Sequence, residues 1–235
     1  MPPAREPRPF VSEIKFLIDQ PAAQRIREWA RVHLSPDPYG TGPFSDEYHT
    51  TSLYLDTQQL DVFHRRGSFG RAKYRVRRYG DDSTLFLERK LKNRGLLHKR
   101  RTAVEVEALD RLTMADAGAR DWRGHWFHRR LLARQLRPIC EISYLRTARV
   151  MLNDEGPVRL TIDEAVQARP AEELRFAMAP GVPALERQCI LEFKYRQSPP
   201  ALLKQLVAQF TLEPQPVSKY RLSVEALGLV NALNA

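Results

Sequence analysis

The chain has 235 residues, with 38 Lys and Arg against 28 Asp and Glu and a formal net charge of +10. Hydrophobic residues make up 43% and charged residues 28%, a globular composition that excludes a disordered tail and a membrane-embedded protein. An excess of cations this large points to an anionic partner, and the placement of the cations decides which kind.

Residues 1–9 are proline-rich and read as a flexible tail, with no apolar run behind their charges to mark a signal peptide. Residues 10–235 read as a single domain. A first strand is predicted over 10–18 and a helix over 21–34, with Pro21 in its first turn and apolar residues at Ala22, Ile26, Trp29 and Ala30. Strands follow at 48–55, then at 71–79 and 84–91 joined by Gly80-Asp81-Asp82-Ser83, then at 101–108. The stretch 110–136 reads as two helices broken near Gly124. Strands at 139–150 and 157–165 are joined by Asn153-Asp154-Glu155-Gly156, and a surface loop over 170–183 leads to a strand at 188–195. Helices at 201–210, behind Ser198-Pro199-Pro200, and at 218–230 close the chain. Strands outnumber helices and rarely alternate with them. The expected fold is α+β: an eight-stranded antiparallel β-barrel with helices packed on its outside.

No apolar run reaches the roughly 20 residues of a membrane span, so a cytoplasmic protein is expected. Cys140 and Cys189 are too few for a disulfide framework and sit in apolar runs, as buried thiols do. His125 and His128 lie in an Arg-rich stretch and read as a solvated helix face, not a metal pair. There is no Walker loop, GxGxxG or HExxH, and the basic runs lack interleaved aromatics, so no nucleic-acid partner is expected.

The informative pattern is the charge on alternate strand positions. Glu13 and Lys15 oppose Ile14 and Phe16; Lys73, Arg75 and Arg77 oppose Tyr74 and Val76; Glu88 and Lys90 oppose Leu87 and Leu91. Lys99, Arg101, Glu105 and Glu107 oppose Val104 and Val106; Arg159, Thr161 and Asp163 oppose Leu160 and Ile162; Glu192 and Lys194 oppose Leu191 and Phe193. One charged strand face is ordinarily a wet face. Six such faces, with helices covering the apolar ones, place the charges in the lumen of a barrel. A lumen crowded with Lys and Arg repels itself unless anions occupy it, and a chain of phosphates meets that need through bidentate, charge-assisted hydrogen bonds. The carboxylates Glu13, Glu88, Glu105, Glu107, Asp163 and Glu192 either pair with these cations or hold a hard divalent ion, Mg²⁺ or Mn²⁺, with Glu192 the best single candidate.

An ordered set of strings carries a family resemblance: Ser12-Glu13-Ile14-Lys15-Phe16, Thr51 to Thr57, Lys73 to Tyr79, Leu87-Glu88-Arg89-Lys90-Leu91-Lys92, Tyr144 to Ala148, Arg159 to Asp163, Leu191 to Tyr195 and Ser218-Lys219-Tyr220. Together, from Phe10 to about Leu227, they resemble the VTC domain of polyphosphate polymerases, a branch of the triphosphate tunnel metalloenzymes. The resemblance implies an eight-stranded tunnel. It further implies phosphate-binding roles for Lys15, Arg75, Arg77, Lys90, Arg146, Arg159 and Lys219, and a metal-binding role for Glu192. One more tunnel cation corresponds to Lys99 or to Arg101. Lys194, beside Glu192, joins the candidate set, as do Glu13 and Glu88 as metal ligands. The superfamily's opening Glu-x-Glu-x-Lys is here Val11-x-Glu13-x-Lys15, which removes one metal ligand. The implied activity is a Mn²⁺- or Mg²⁺-dependent phosphotransferase building polyphosphate from ATP. The alternatives are a tripolyphosphate or nucleoside triphosphate hydrolase and a non-catalytic polyphosphate-binding module.

Overall fold

The computed structural model describes residues 12–93, 96–118, 120–177 and 179–230, with 70, 71, 92, 93, 96 and 97 described by backbone alone. The predicted tail at 1–9, the start of the first strand at Phe10 and the departure at Val11 lie outside the described residues.

Strand β1 (Ser12–Asp19) runs directly into helix α1 (Gln20–His33). Asp19 makes that junction: its carboxylate accepts the Ala22 N–H at 2.7 Å, while Pro21 occupies a first-turn position that needs no donor. A short β2 (Ser35–Pro36) and β3 (Glu47–Asp56) follow. Asp56 ends β3 and caps α2 (Asp61–His64), accepting the N–H groups of Thr57, Val62 and Phe63 at 2.7, 2.8 and 2.9 Å. A 3-10 turn at 67–71 leads to β4 (Ala72–Tyr79), β5 (Thr84–Asn93) and β6 (Leu96–Glu105). The remaining elements are α3 (Ala108–Leu112), α4 (His125–Arg134), β7 (Arg137–Asn153), β8 (Gly156–Pro170), β9 (Val182–Pro183), β10 (Gln188–Tyr195), α5 (Ala201–Gln209) and α6 (Lys219–Ala226).

All strands join one antiparallel sheet in the order β1-β10-β8-β7-β3-β4-β5-β6, with β2 added on β7 and β9 on β8. This corrects the expected closed barrel of eight strands. The sheet has ten strands, and among the described residues no ladder joins β6 to β1. The free edge of β1 is instead engaged by the segment before α6, whose Gln215 N–H donates to the Lys15 carbonyl at 2.8 Å. The sheet nevertheless curls far enough for Lys90 on β5 to meet Glu13 on β1 at 2.9 Å.

The convex side carries the apolar alternates. Helices α1 and α5 cover Phe16, Leu160, Leu191 and Phe193 with Ile26, Leu203 and Leu206. Helices α3 and α4 cover Leu53, Val76 and Leu87 with Leu109, Phe127 and Leu131. Helix α6 departs from the expected outside packing. Its Tyr220 stacks on Tyr54 at 5.3 Å, and with Val224 it packs against Cys140, Ile142, Tyr144 and Val166. These residues share the inner side with the charged rows, so α6 closes one end of the concave face.

A bulge makes this end apolar. Ala165, with φ near +50°, resets the alternation of β8. Before it, Arg159, Thr161 and Asp163 face inward; after it, Val166 and Ala168 do. The solvated-face reading of α4 is also corrected, since His128 is buried and its Nε2 lies 2.9 Å from the Met114 carbonyl. Both cysteines are free and buried, and burial raises their thiols, Cys189 to about 11. Among the described residues no helix is long and apolar enough to cross a membrane.

Candidate phosphate-binding site

Cross-strand partners in an antiparallel ladder share a face, so the register assembles the site. Glu13 lies opposite Lys194, which lies opposite Arg159; Lys15 lies opposite Glu192. Tyr54 lies opposite Arg75, Arg75 opposite Glu88, and Glu88 opposite Arg101. Lys73, Lys90 and Lys99 form the adjacent row, and Arg146 pairs with Asp163.

The side chains gather into linked clusters. Glu13 takes Lys15 and Lys90, each at 2.9 Å, and Glu192 takes Lys194, with Lys15 at 3.5 Å. Glu88 takes Arg75 at 2.6 Å, Lys99 at 2.7 Å and Arg101 at 3.5 Å. Arg146 grips Asp163 with two hydrogen bonds of 2.6 and 2.8 Å, and Lys219 at the start of α6 meets the same carboxylate. Arg159 donates to Tyr48 at 2.5 Å and pairs with Asp37 at 2.9 Å. Lys73 donates to Ser218, the N-cap of α6, at 2.9 Å. Arg77 is different. It is 5% exposed and bonds the hydroxyls of Ser52 (3.0 Å), Tyr144 (3.1 Å) and Tyr79; the charge of Glu88 acts on it from a distance, with no carboxylate in ion-pair reach among the described residues.

Titration behaviour follows from this crowding. Burial and Glu192 push Glu13 up, but Lys15, Lys90 and Lys194 overcome them and bring it to about 2. Burial likewise opposes ionisation of Glu88 and Asp163, whose cations hold both well below the usual carboxylate range. Lys73 falls to about 8, because burial and the charges of Lys15, Lys90 and Arg75 outweigh the pull of Tyr54. The Tyr54 phenol, raised by burial, is brought down to about 8 by Arg75, Arg77 and Lys73.

The structure thus brings Lys15, Arg75, Arg77, Lys90, Lys99, Arg146, Arg159, Lys194 and Lys219 to one concave surface. It places both Lys99 and Arg101, the two candidates for the further tunnel cation, on this face. Strand β6 begins at Leu96 rather than at the predicted 101, and both side chains meet Glu88. Glu105 and Glu107 do not join the row: both are exposed, and Glu107 lies beyond β6. Sequence reasoning missed the hydroxyls that steady the arginines, namely Tyr48, Ser52, Tyr54 and Tyr144. Their signal was present as even-numbered positions, Tyr48, Ser52 and Tyr54 along β3 and Tyr144 along β7, hidden because neutral residues on alternate positions read as ordinary strand.

A divalent ion, implied by the resemblance, is tested by the carboxylates. Glu13 and Glu192 are close enough that Glu192 pushes Glu13 up, and they share Lys15. Glu192 Oε1 is buried against Lys194 without an aligned hydrogen bond. Two repelling carboxylates completed by substrate phosphates suit Mg²⁺ or Mn²⁺, so this pair fits. Glu88 stands apart among its own three cations, and among the described residues no group of three acidic, His or Cys side chains converges.

The fold resembles that of a putative adenylate cyclase from Bacillus halodurans, with 13% identity over 88% of this chain and 92% of that one and a TM-score of 0.55. A putative adenylyl cyclase from Hippeastrum, described as having a dominant triphosphatase activity, aligns at 14% identity over 95% of each chain, TM-score 0.48. A putative adenylate cyclase from Vibrio parahaemolyticus aligns at 12% identity over 92% of this chain and 98% of that one, TM-score 0.49. No curated protein matches the chain. The model of the VTC domain matches residues 10–228, nearly the whole concave sheet and its helices, and the chain therefore belongs to the VTC domain family.

Proposed function

We propose that residues 10–235 act as one tunnel unit that binds the triphosphate of ATP on the concave face and transfers its γ-phosphoryl group to a phosphate or polyphosphate end. The observation that carries this reading is Arg77: a buried guanidinium beside Arg75, held by hydroxyls, with no carboxylate in ion-pair distance among the described residues. Such a group calls for an anion from outside the chain. Phosphoryl transfer suits the surroundings because it needs charge neutralisation and alignment more than a covalent nucleophile. In this reading Arg75, Arg77, Lys90 and Lys219 hold the nucleotide phosphates, while Lys15, Lys99, Arg146, Arg159 and Lys194 receive the acceptor chain and the charge of the transferring group. Glu13 and Glu192 would hold Mn²⁺ or Mg²⁺, and Glu88, named with them from sequence, is better suited to keeping Arg75 extended. When bound, the cation supplies Lewis-acid neutralisation of phosphate oxygens. An acceptor oxygen attacks the γ-phosphorus, and ADP departs with the electron pair of the broken P–O bond.

Hydrolysis is the second reading, with water as acceptor, and one observation favours it. Helix α6 covers one end of the concave face, so a bound chain enters and leaves by the same opening. Purified protein incubated with ATP and Mn²⁺ or Mg²⁺ separates the readings: long polymer supports transfer, free phosphate alone supports hydrolysis. Turnover of neither kind, with polyphosphate binding that survives Glu192→Gln, overturns both in favour of a binding module. Arg75→Ala is expected to lower turnover roughly tenfold or more, as loss of a preorganised charge at a phosphate does; wild-type rates in that variant count against the site.

A further inference from the structure

The concave face also carries aromatic rings that phosphate binding does not require. Tyr48 of β3, Tyr79 of β4 and Phe86 of β5 lie on the inner side at the end away from α6. Tyr79 is edge-on to both neighbours, with centroids 5.6 Å from Tyr48 and 5.6 Å from Phe86. They keep cationic company: the Arg101 guanidinium lies 3.5 Å from the Phe86 centroid and 5.4 Å from that of Tyr79, and the Tyr48 hydroxyl is fixed by Arg159 at 2.5 Å. At the opposite end of the same face, Tyr54 and Tyr144 are buried under Tyr220, as packing aromatics are. The three rings here are only half-buried.

Tyr79 follows Arg77 by two residues on the same face, a rise of roughly 7 Å. That is about the span from a nucleotide's α-phosphate to its base. We propose that Tyr48, Tyr79 and Phe86 form a nucleobase platform, on which the base of a nucleoside triphosphate stacks while its phosphates run inward over Arg77 and Arg75. The proposal rests on the phosphate site proposed above and adds what an inorganic chain cannot use, a ring-binding subsite. Stacking reads a ring's area rather than its hydrogen-bonding edge, so ATP and GTP should bind alike.

The test compares KM for ATP, GTP and tripolyphosphate in the full chain and in Tyr79→Ala and Tyr79→Phe. Stacking of one base corresponds to about tenfold in binding. Tyr79→Ala is therefore expected to raise the ratio of KM for ATP to KM for tripolyphosphate about tenfold, while Tyr79→Phe, which keeps the ring, holds it within about twofold. A ratio that does not move in Tyr79→Ala, or that moves equally in Tyr79→Phe, overturns the platform. Wild-type protein that takes tripolyphosphate but not ATP also overturns it, leaving the phosphate site standing. Protein that binds neither overturns the phosphate site and the platform together.

Discussion

Glu88 shows how one residue can hold several others. Its side chain is 2% exposed and meets Arg75, Lys99 and Arg101, each more exposed than itself. Removing its charge leaves three cations facing one another. Glu88→Gln should cost about 2 kcal/mol, below the range for a fully buried pair because the partners reach solvent. The same carboxylate gives a pH signature. Cations hold it below its ordinary value of 4.5, so its stabilisation is complete above pH 4.5 and is lost as pH falls below that. Glu13, brought to about 2, and Asp163 act in the same direction. Thermal melts should show a flat transition temperature from pH 7 to 5 and a steep fall below 4.5, with Glu88→Gln lower at pH 7 and flatter in acid. A variant as stable as the parent at pH 7 would mean that Glu88 holds nothing in place.

At the scale of elements, α6 has one polar anchor buried among apolar neighbours, besides the ties of Ser218, Lys219 and Arg221 to Lys73, Asp163 and the Phe63 carbonyl. The Tyr220 hydroxyl donates to Asp56 at 2.6 Å, and Asp56 in turn caps α2 through Val62 and Phe63. Burial raises Asp56, and four donors, Tyr220 first and then Val62, Phe63 and Thr57, pull against it. Tyr220→Phe removes one donor from a buried carboxylate and should cost about 1–2 kcal/mol, read as a lower midpoint in urea with an unchanged slope. An unshifted midpoint would show that α6 is held by its apolar contacts and its other polar ties, without help from the Tyr220 hydroxyl. The alternation of the strands made the sheet legible from sequence, including both hairpins. The position of α6 was not legible, because its placement depends on the bulge at Ala165, and no propensity marks an alanine at positive φ.

Across the whole molecule, the concave face gathers charge that the free protein accommodates by withholding protons. Lys73 near 8 is largely neutral above that pH, and Tyr54 and Tyr79 near 8 become anionic there. In Tyr79 burial opposes ionisation, and Arg77 and Arg101 overcome it. A bound polyphosphate favours the protonated form of all three, so binding takes up protons and weakens as pH rises through 8. Titration calorimetry with tripolyphosphate in buffers of different ionisation enthalpy should show proton uptake at pH 9, and affinity roughly tenfold or more lower at pH 9.5 than at 7.5. Constant affinity without uptake would place the phosphates away from these groups.

Outside the bulges, sequence alone determined which residues share a face, because an unbulged strand alternates with a period of two. It therefore yielded the charged rows, the apolar rows and the sign of the ligand. Only the tertiary structure decided that the sheet stays open, since the β1 edge is taken by a segment some 200 residues away in the chain. It also decided that α6 lies within the concave face, and that Arg77 and Glu88, indistinguishable from their neighbours in the sequence pattern, are respectively without a carboxylate in ion-pair distance among the described residues and supplied with three close cations. Partner counts depend on how strands curl toward one another, which no local pattern encodes.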